Sequence, residues 1–289
     1  MSFPNFKRYI EAYENGATHT AWIHKTGAPA SFGAGRWGDL SMGAGIPKYN
    51  AYVGTQAAAT VLTGLGNDGI NVGANLPSGQ ERFLHRMGLH TNSATLAPAH
   101  FTLCDYLMHY PLIDGDDTAQ QDFDNTQTLS RYTSGAGCRL FQVQTSAAGA
   151  TAQNIAVSYT DQSGNTGNTL PVTVSMTASA IVGHVSHSGT AANNYGPFLP
   201  LAGGDTGVQN VATVTMSAAN TGTFALCLAK PLLTLPITTA AVAAERDLLN
   251  QLPSLPQVKD GACLTWLYFA GAATGASTNF YGSVEFGWG

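Results

Sequence analysis

The densest group of chemically capable side chains is acidic: Asp114, Asp116 and Asp117, then Asp122 and Asp124, in the stretch IDGDDTAQQDFDN. Carboxylates at alternate positions are what a calcium loop uses, with glycine at its sixth place and glutamate at its twelfth. Counted from Asp114, those places hold Ala119 and Asn125, which excludes an EF-hand. An irregular calcium site and a solvated strand-to-strand loop both remain open, and the solvated loop is the expectation. His184 and His187 suggest a metal pair, but residues three apart on a strand point to opposite faces. Gly183 and Gly189 would allow a turn there. With no third ligand nearby, both are expected to be surface histidines.

Residues Gly64 to Gly69 (GLGNDG) match the glycine pattern of dinucleotide-binding loops. That motif works when a strand leads in and a helix leads out, so that the pyrophosphate meets the helix N-terminus. Here an alanine-rich, helix-like run precedes and INVGANLP follows, so a glycine turn is expected. No GxSxG elbow and no Cys–His family signature is present for nucleophilic catalysis. Glycoside hydrolysis requires two carboxylates a few ångströms apart. Asp105 in FTLCDYLMHY and Glu285 in GSVEFGWG come closest to that description, and each is read first as an outward strand position or a buried ion-pair partner. Cys104, Cys138, Cys227 and Cys263 are widely spaced with no CxxC pair, which argues against structural zinc and for buried, reduced thiols. No catalytic, metal or cofactor-binding residue is assigned, and no cofactor is expected.

The elements around these residues are mostly strands. In Leu140–Met176, Phe141 and Val143, then Ile155, Val157 and Tyr159, then Val172, Val174 and Met176 alternate with small or polar neighbours. A period of two with one apolar face marks antiparallel strands laid on a core. Further strands are expected at Thr18–Ile23, Glu81–His90 (Phe83, His85, Met87 and Leu89 sharing a face), His100–Tyr110 ended by Pro111, Ser179–Val185, Ala262–Ala270 and Phe280–Trp288. Val208–Ser217 and Thr223–Leu228 read as a hairpin over Ala218–Gly222. Helices are expected at Phe3–Asn15, with Gly16 to stop it, at Ala51–Leu65 and at Thr238–Leu252. About ten strands at turn-separated intervals indicate a mainly β fold, an antiparallel β-sandwich of jelly-roll type with a few short helices.

Two segments are expected: a loop-rich N-terminal arm over residues 1–75 and a sandwich body over 76–289. The arm carries the aromatic helix face of Phe6, Tyr9, Ile10 and Tyr13, then the Gly/Pro-rich stretch Gly27–Asn50, in which Trp37, Leu40 and Met42 are isolated anchors. Phe6, Tyr9, Tyr13, Trp37, Leu40 and Met42 are the candidate assembly contacts. Long segments without regular structure are functional or lie against something.

Charged residues make up 10% of the 289, and the net charge of −5 carries no basic stripe, so nucleic acid is not an expected partner. Between Arg139 and Lys230 the only acidic residues are Asp161 and Asp205. No secretory leader is expected from MSFPNFKRYIEAYENG, which lacks an apolar core, and no run is long enough for a transmembrane helix. Exposed aromatics that would stack on sugars are Tyr195, Tyr268, Phe269, Tyr281 and Trp288.

The segments GRWGDLSMGAGIPKYNAY, LCDYLMHYPLIDGDD, LSRYTSGAGCRLFQVQ and AVSYTDQSGNTGNTL together resemble a widespread family of tailed-bacteriophage structural proteins. That resemblance implies a virion component of capsid decoration or cement type, made in a host cytoplasm and placed on the capsid exterior. It implies the major capsid protein as partner and a homo-oligomer, guessed as a trimer; neither nucleic acid nor membrane is implied. It carries over no active residues. The remaining alternatives are a tail- or fibre-associated protein that recognises host surface glycan and, behind it, a polysaccharide hydrolase. On the decoration reading, deleting residues 1–50 is expected to leave a folded body that no longer binds the shell.

Overall fold

One sixteen-residue strand, AHFTLCDYLMHYPLID, is apolar on both faces and buried along nearly its whole length. A strand of that composition needs packing partners above and below it. The computed structural model, which describes residues 6–64, 69–93, 96–186, 196–239, 241–251 and 255–289, supplies both.

Helix α1 (Phe6–Glu14) leads into strand β1 (Thr18–Lys25), and Gly16 stops the helix with a φ of 74°. Short strands β2 (Arg36–Asp39), β3 (Gly45–Ile46) and β4 (Thr60–Val61) follow, with a 3-10 turn at Leu40–Met42. Then come β5 (Arg82–Thr91), the long β6 (Ala99–Asp114), β7 (Gln121–Asp122), β8 (Arg139–Gln144) and β9 (Gln153–Asp161). β10 (Asn168–Thr169), β11 (Val174–Met176) and β12 (His184–Ser186) are short; β13 (Val208–Met216) and β14 (Thr223–Ile237) are long. β15 (Ala244–Asp247) runs into the one-turn helix α2 (Leu248–Gln251), and β16 (Gln257–Val258), β17 (Leu264–Ala270) and β18 (Phe280–Trp288) come last.

These strands build three antiparallel sheets. The middle one runs β14-β8-β12-β2-β17-β6, and β14 also pairs with β6, so it closes into a ring with β4 added outside. A sheet of β15-β5-β18-β1-β3, with β16 on β5, lies to one side. A sheet of β10-β9-β13-β7, with β11 on β9, lies to the other. Alternation along β14 shows how the layers share residues. Ala225, Cys227 and Ala229 join the cluster that fills the ring, with Tyr106, Phe141, Val143, Val185 and Leu267. Phe224, Leu226 and Leu228 face outward onto Ile155, Val157, Val211 and Val214 of the third sheet. On the opposite side, Phe101, Leu103, Trp266 and Tyr268 meet Leu84, Met87, Leu89, Val284 and Phe286. Full burial of each such side chain is worth about 1.5–3 kcal/mol.

The mainly β, antiparallel, sandwich-like architecture agrees with the sequence reading; several details do not. The segment 51–64 is not helical: Tyr52 and Ala57 have positive φ, and Tyr52 is drawn into the ring. Helix Thr238–Leu252 is replaced, over its described part, by β15 and one helical turn. There β5 offers an open edge that pairs Ala244 with Leu89 and Asp247 with Arg86, and tertiary pairing overrides alanine's local preference. β6 continues through Pro111 to Asp114. β13 and β14 do not form a hairpin, because the chain changes sheet at 217–222. In β5 a bulge opposite Glu285/Phe286 puts Leu84, Met87 and Leu89 inside and turns His85 out, instead of grouping His85 with Met87. Within the expected arm, β1 pairs along its length with β18, and β2 lies in the ring between β12 and β17.

Candidate functional site

The ring is plugged by a bonded loop. Asp39 ends β2 fully buried, and its carboxylate accepts from the Ser41 amide (2.9 Å), the Tyr106 hydroxyl (2.9 Å) and the Tyr52 hydroxyl. Burial pushes the Asp39 carboxyl up, and those donors oppose the shift. Beside it, the buried Lys25 amine donates to the carbonyl oxygens of Gly43 (2.9 Å) and Pro47 (2.6 Å). Burial lowers Lys25 to about 8, against the pull of the Asp39 charge. Further along, the His109 ring bonds the Val53 carbonyl (Nε2 to O, 3.1 Å), and the Tyr52 amide donates to Asn50.

These interior ties fix the backbone of residues 39–53, and that backbone holds apolar side chains out in water. Ile46 is 63% exposed and Val53 71%, with Tyr49 between them. Trp22, 76% exposed, stands on β1 and shares with Ile46 the lining of a cleft of about 640 Å³. Exposed apolar groups presented from a pinned backbone are what a protein contact surface needs. Trp22 and Ile46 were not among the residues singled out from sequence. The available signal was THTAWIHK, where a lone tryptophan shares the polar strand face of Thr18, Thr20 and His24.

The six candidate contacts divide. Phe6 is 63% exposed on α1. Tyr9 is buried against Tyr13 and His85. The Tyr13 hydroxyl donates to Glu285 Oε1 (3.0 Å) and bonds His85, which also lies 3.2 Å from Glu285. Trp37 is half-buried against Phe269. Leu40 and Met42 are buried inside this chain, in different clusters, so neither offers surface to a partner. The cause is the place of β2 in the ring, which carries the turn after it inward.

The chemical candidates are held in the fold. Asp105 is the buried ion-pair partner: Arg131 reaches it with Nη2 at 2.8 Å and Nε at 3.0 Å, and the Cys263 amide adds a third bond. Glu285 lies on the outer side of a different sheet, in the Tyr13–His85 group. Asp114 and Asp117 accept from the amides two residues on, closing turns in the acidic loop. Among the described residues no group of three His, Cys, Asp or Glu side chains is arranged to hold a metal ion. All four cysteines are free and buried, and burial raises Cys138 to about 11. His184 is buried near Phe32, not on the surface, because β12 enters the ring. His187, Gly189, Tyr195 and the centre of the glycine motif at 65–68 lie outside the described residues. Tyr268 is buried, and Tyr281 is stacked between His24 (4.7 Å) and His90 (5.2 Å), which covers both ring faces.

No family model matches the chain, and no curated protein matches it. Among solved structures it is similar to the VP2 subviral particle of infectious bursal disease virus, at 8% identity and a TM-score of 0.20, covering 93% of this chain and 79% of that one. T=1 particles derived from the same virus give 10% identity and a TM-score of 0.17, with 93% and 77% covered. Scores this low do not bear on function. No helix among the described residues is long and apolar enough to cross a membrane.

Proposed function

We propose that this chain is a non-enzymatic structural protein of a bacteriophage virion, a decoration protein that binds and stabilises the assembled head. The observation that carries the reading is the set of exposed apolar side chains Trp22, Ile46, Tyr49 and Val53, held by buried polar ties on a β body. The sequence resemblance to tailed-phage structural proteins agrees with it, as does the structural engagement of Asp105 and the burial of the cysteines. The partners on this reading are the major capsid protein and further copies of the chain, as a trimer. A protein that binds only the closed shell stabilises it by mass action.

The test is a reconstruction of the particle together with a thermal release assay. Many copies spread over the head, and shells that lose genome at lower temperature without the protein and recover on its addition, support the proposal. A few copies at the tail, or release temperatures that do not change, overturn it. Light scattering at three times the chain mass checks the trimer.

The glycan reading has lost two of its five aromatics, since Tyr268 is buried and both faces of Tyr281 are covered. The hydrolase reading has lost its carboxylate pair, since Asp105 and Glu285 belong to different sheets.

A further inference from the structure

In the six-stranded sheet β1 is paired, among the described residues, along its whole length on one side only. All eight of its residues pair with β18, whereas β3 reaches only His24 and Lys25. The Thr26 amide bonds the Ala44 carbonyl, and the Trp288 amide bonds the Ala17 carbonyl. Main-chain groups of an antiparallel strand alternate in direction. Odd-numbered residues of β1 therefore bond β18, and Thr18, Thr20 and Trp22 turn N–H and C=O to the other edge. No described strand pairs with that edge, which is about 13 Å long at 3.3–3.4 Å per residue. It opens into the cleft shared by Trp22 and Ile46.

An unpaired strand edge is a template for another strand. Most edges are open to any second sheet; this one is recessed, with the segment at Asn71 forming the far wall and the His19 ring bonded to the Asn71 carbonyl (3.0 Å). A cleft of about 640 Å³ beside the strand edge has room for a single extended segment. The row of donors and acceptors two residues apart matches extended main chain. Trp22 and Ile46 give an apolar side chain its seat. Among the described lining residues the side chain that carries a fixed charge is Lys48, with the His19 ring also on the lining.

We propose that the cleft takes an extended, acidic segment of another polypeptide, which adds as a strand to β1 at Thr18–Trp22 with a carboxylate toward Lys48. This does not rest on the virion reading.

The probe is an eight-residue peptide alternating valine with aspartate and threonine, followed by the part of the tryptophan fluorescence that Trp22→Phe removes and by amide exchange in the full chain. In the free protein the amides of Thr18, Thr20 and Trp22 should exchange fast, and those of His19, Ala21 and Ile23 slowly. Peptide should slow the first set at least about tenfold, an opening cost of about 1.4 kcal/mol. Replacing aspartate by lysine should weaken binding by a similar factor, and N-methylating alternate peptide amides should abolish it. Thr20→Pro removes only a cleft-facing N–H, a change that edge strands tolerate, and should abolish binding. Lys48→Glu, at an exposed position, should reverse the preference between the aspartate and lysine peptides. Protection of Thr18, Thr20 and Trp22 in the free protein overturns the proposal. So does peptide binding indifferent to N-methylation, binding of a soluble oligosaccharide in place of peptide, or self-association through β1 with no peptide bound.

Discussion

Asp105 and Arg131 form a two-bond ion pair sealed in the interior, with N–O distances of 2.8 and 3.0 Å and both side chains almost wholly buried. The cost of desolvating the two charges is offset only while both are present. Removing one partner leaves the other uncompensated. Asp105→Ala should lower stability by about 3–5 kcal/mol in urea melts, and adding Arg131→Met should recover part of that loss. An effect of Asp105→Ala on turnover of host polysaccharide, with the fold intact, would contradict the structural role.

His109 should make the protein acid-sensitive in a defined window. A histidine in the unfolded chain takes up its proton near pH 6.5. In the fold, burial lowers His109 to about 4, opposed only in part by its bond to the Val53 carbonyl. Between those values the unfolded state binds more protons, so this contribution is constant above pH 6.5 and stability falls as pH drops from 6.5 towards 4. The loss at pH 4.5 relative to pH 7 should be about 2–3 kcal/mol. Denaturant melts at the two pH values should show it, and His109→Gln should remove most of it.

Truncation should separate α1 from the rest of the N-terminal region. Deleting residues 1–50 takes away β1, β2 and β3, with the Lys25 and Asp39 ties, and should abolish the cooperative melt. The folded body expected from sequence would then not be obtained, because β2 is an interior member of the ring. Of the described structure, deleting residues 1–14 removes α1 with its Tyr9 and Tyr13 contacts. That variant should melt cooperatively, with a loss of about 2–4 kcal/mol for the two aromatic side chains.

Thiol labelling reads the interior directly. Cys104, Cys138, Cys227 and Cys263 are free and buried, and burial holds Cys104 and Cys227 well above the usual thiol range. A thiol reagent should find no fast-reacting group in the native protein at pH 8 and four groups after unfolding. A fast group in the native state would mean that the ring opens.

The sequence by itself determined what depends on neighbours along the chain. The period of two in Ile155–Val157–Tyr159 and Val174–Met176 shows antiparallel strands with one buried face, and Gly16 marks where α1 stops. Asp105, set among apolar residues, reads as an outward strand position or a buried ion-pair partner, and the structure chose the second. Only the tertiary structure decided which strand meets which. β8 and β9 are close in sequence, yet one enters the ring and the other the third sheet. The 244–247 segment, at the end of an alanine-rich run, became a strand because β5 offered it an edge, and Leu40 and Met42 went inside because β2 did. The bulge in β5 sent His85 to Tyr13. Periodicity is a property of a few consecutive residues. Pairing depends on edges supplied by segments far apart in the chain, and so does the open edge of β1, which exists because β3 stops at Ile46.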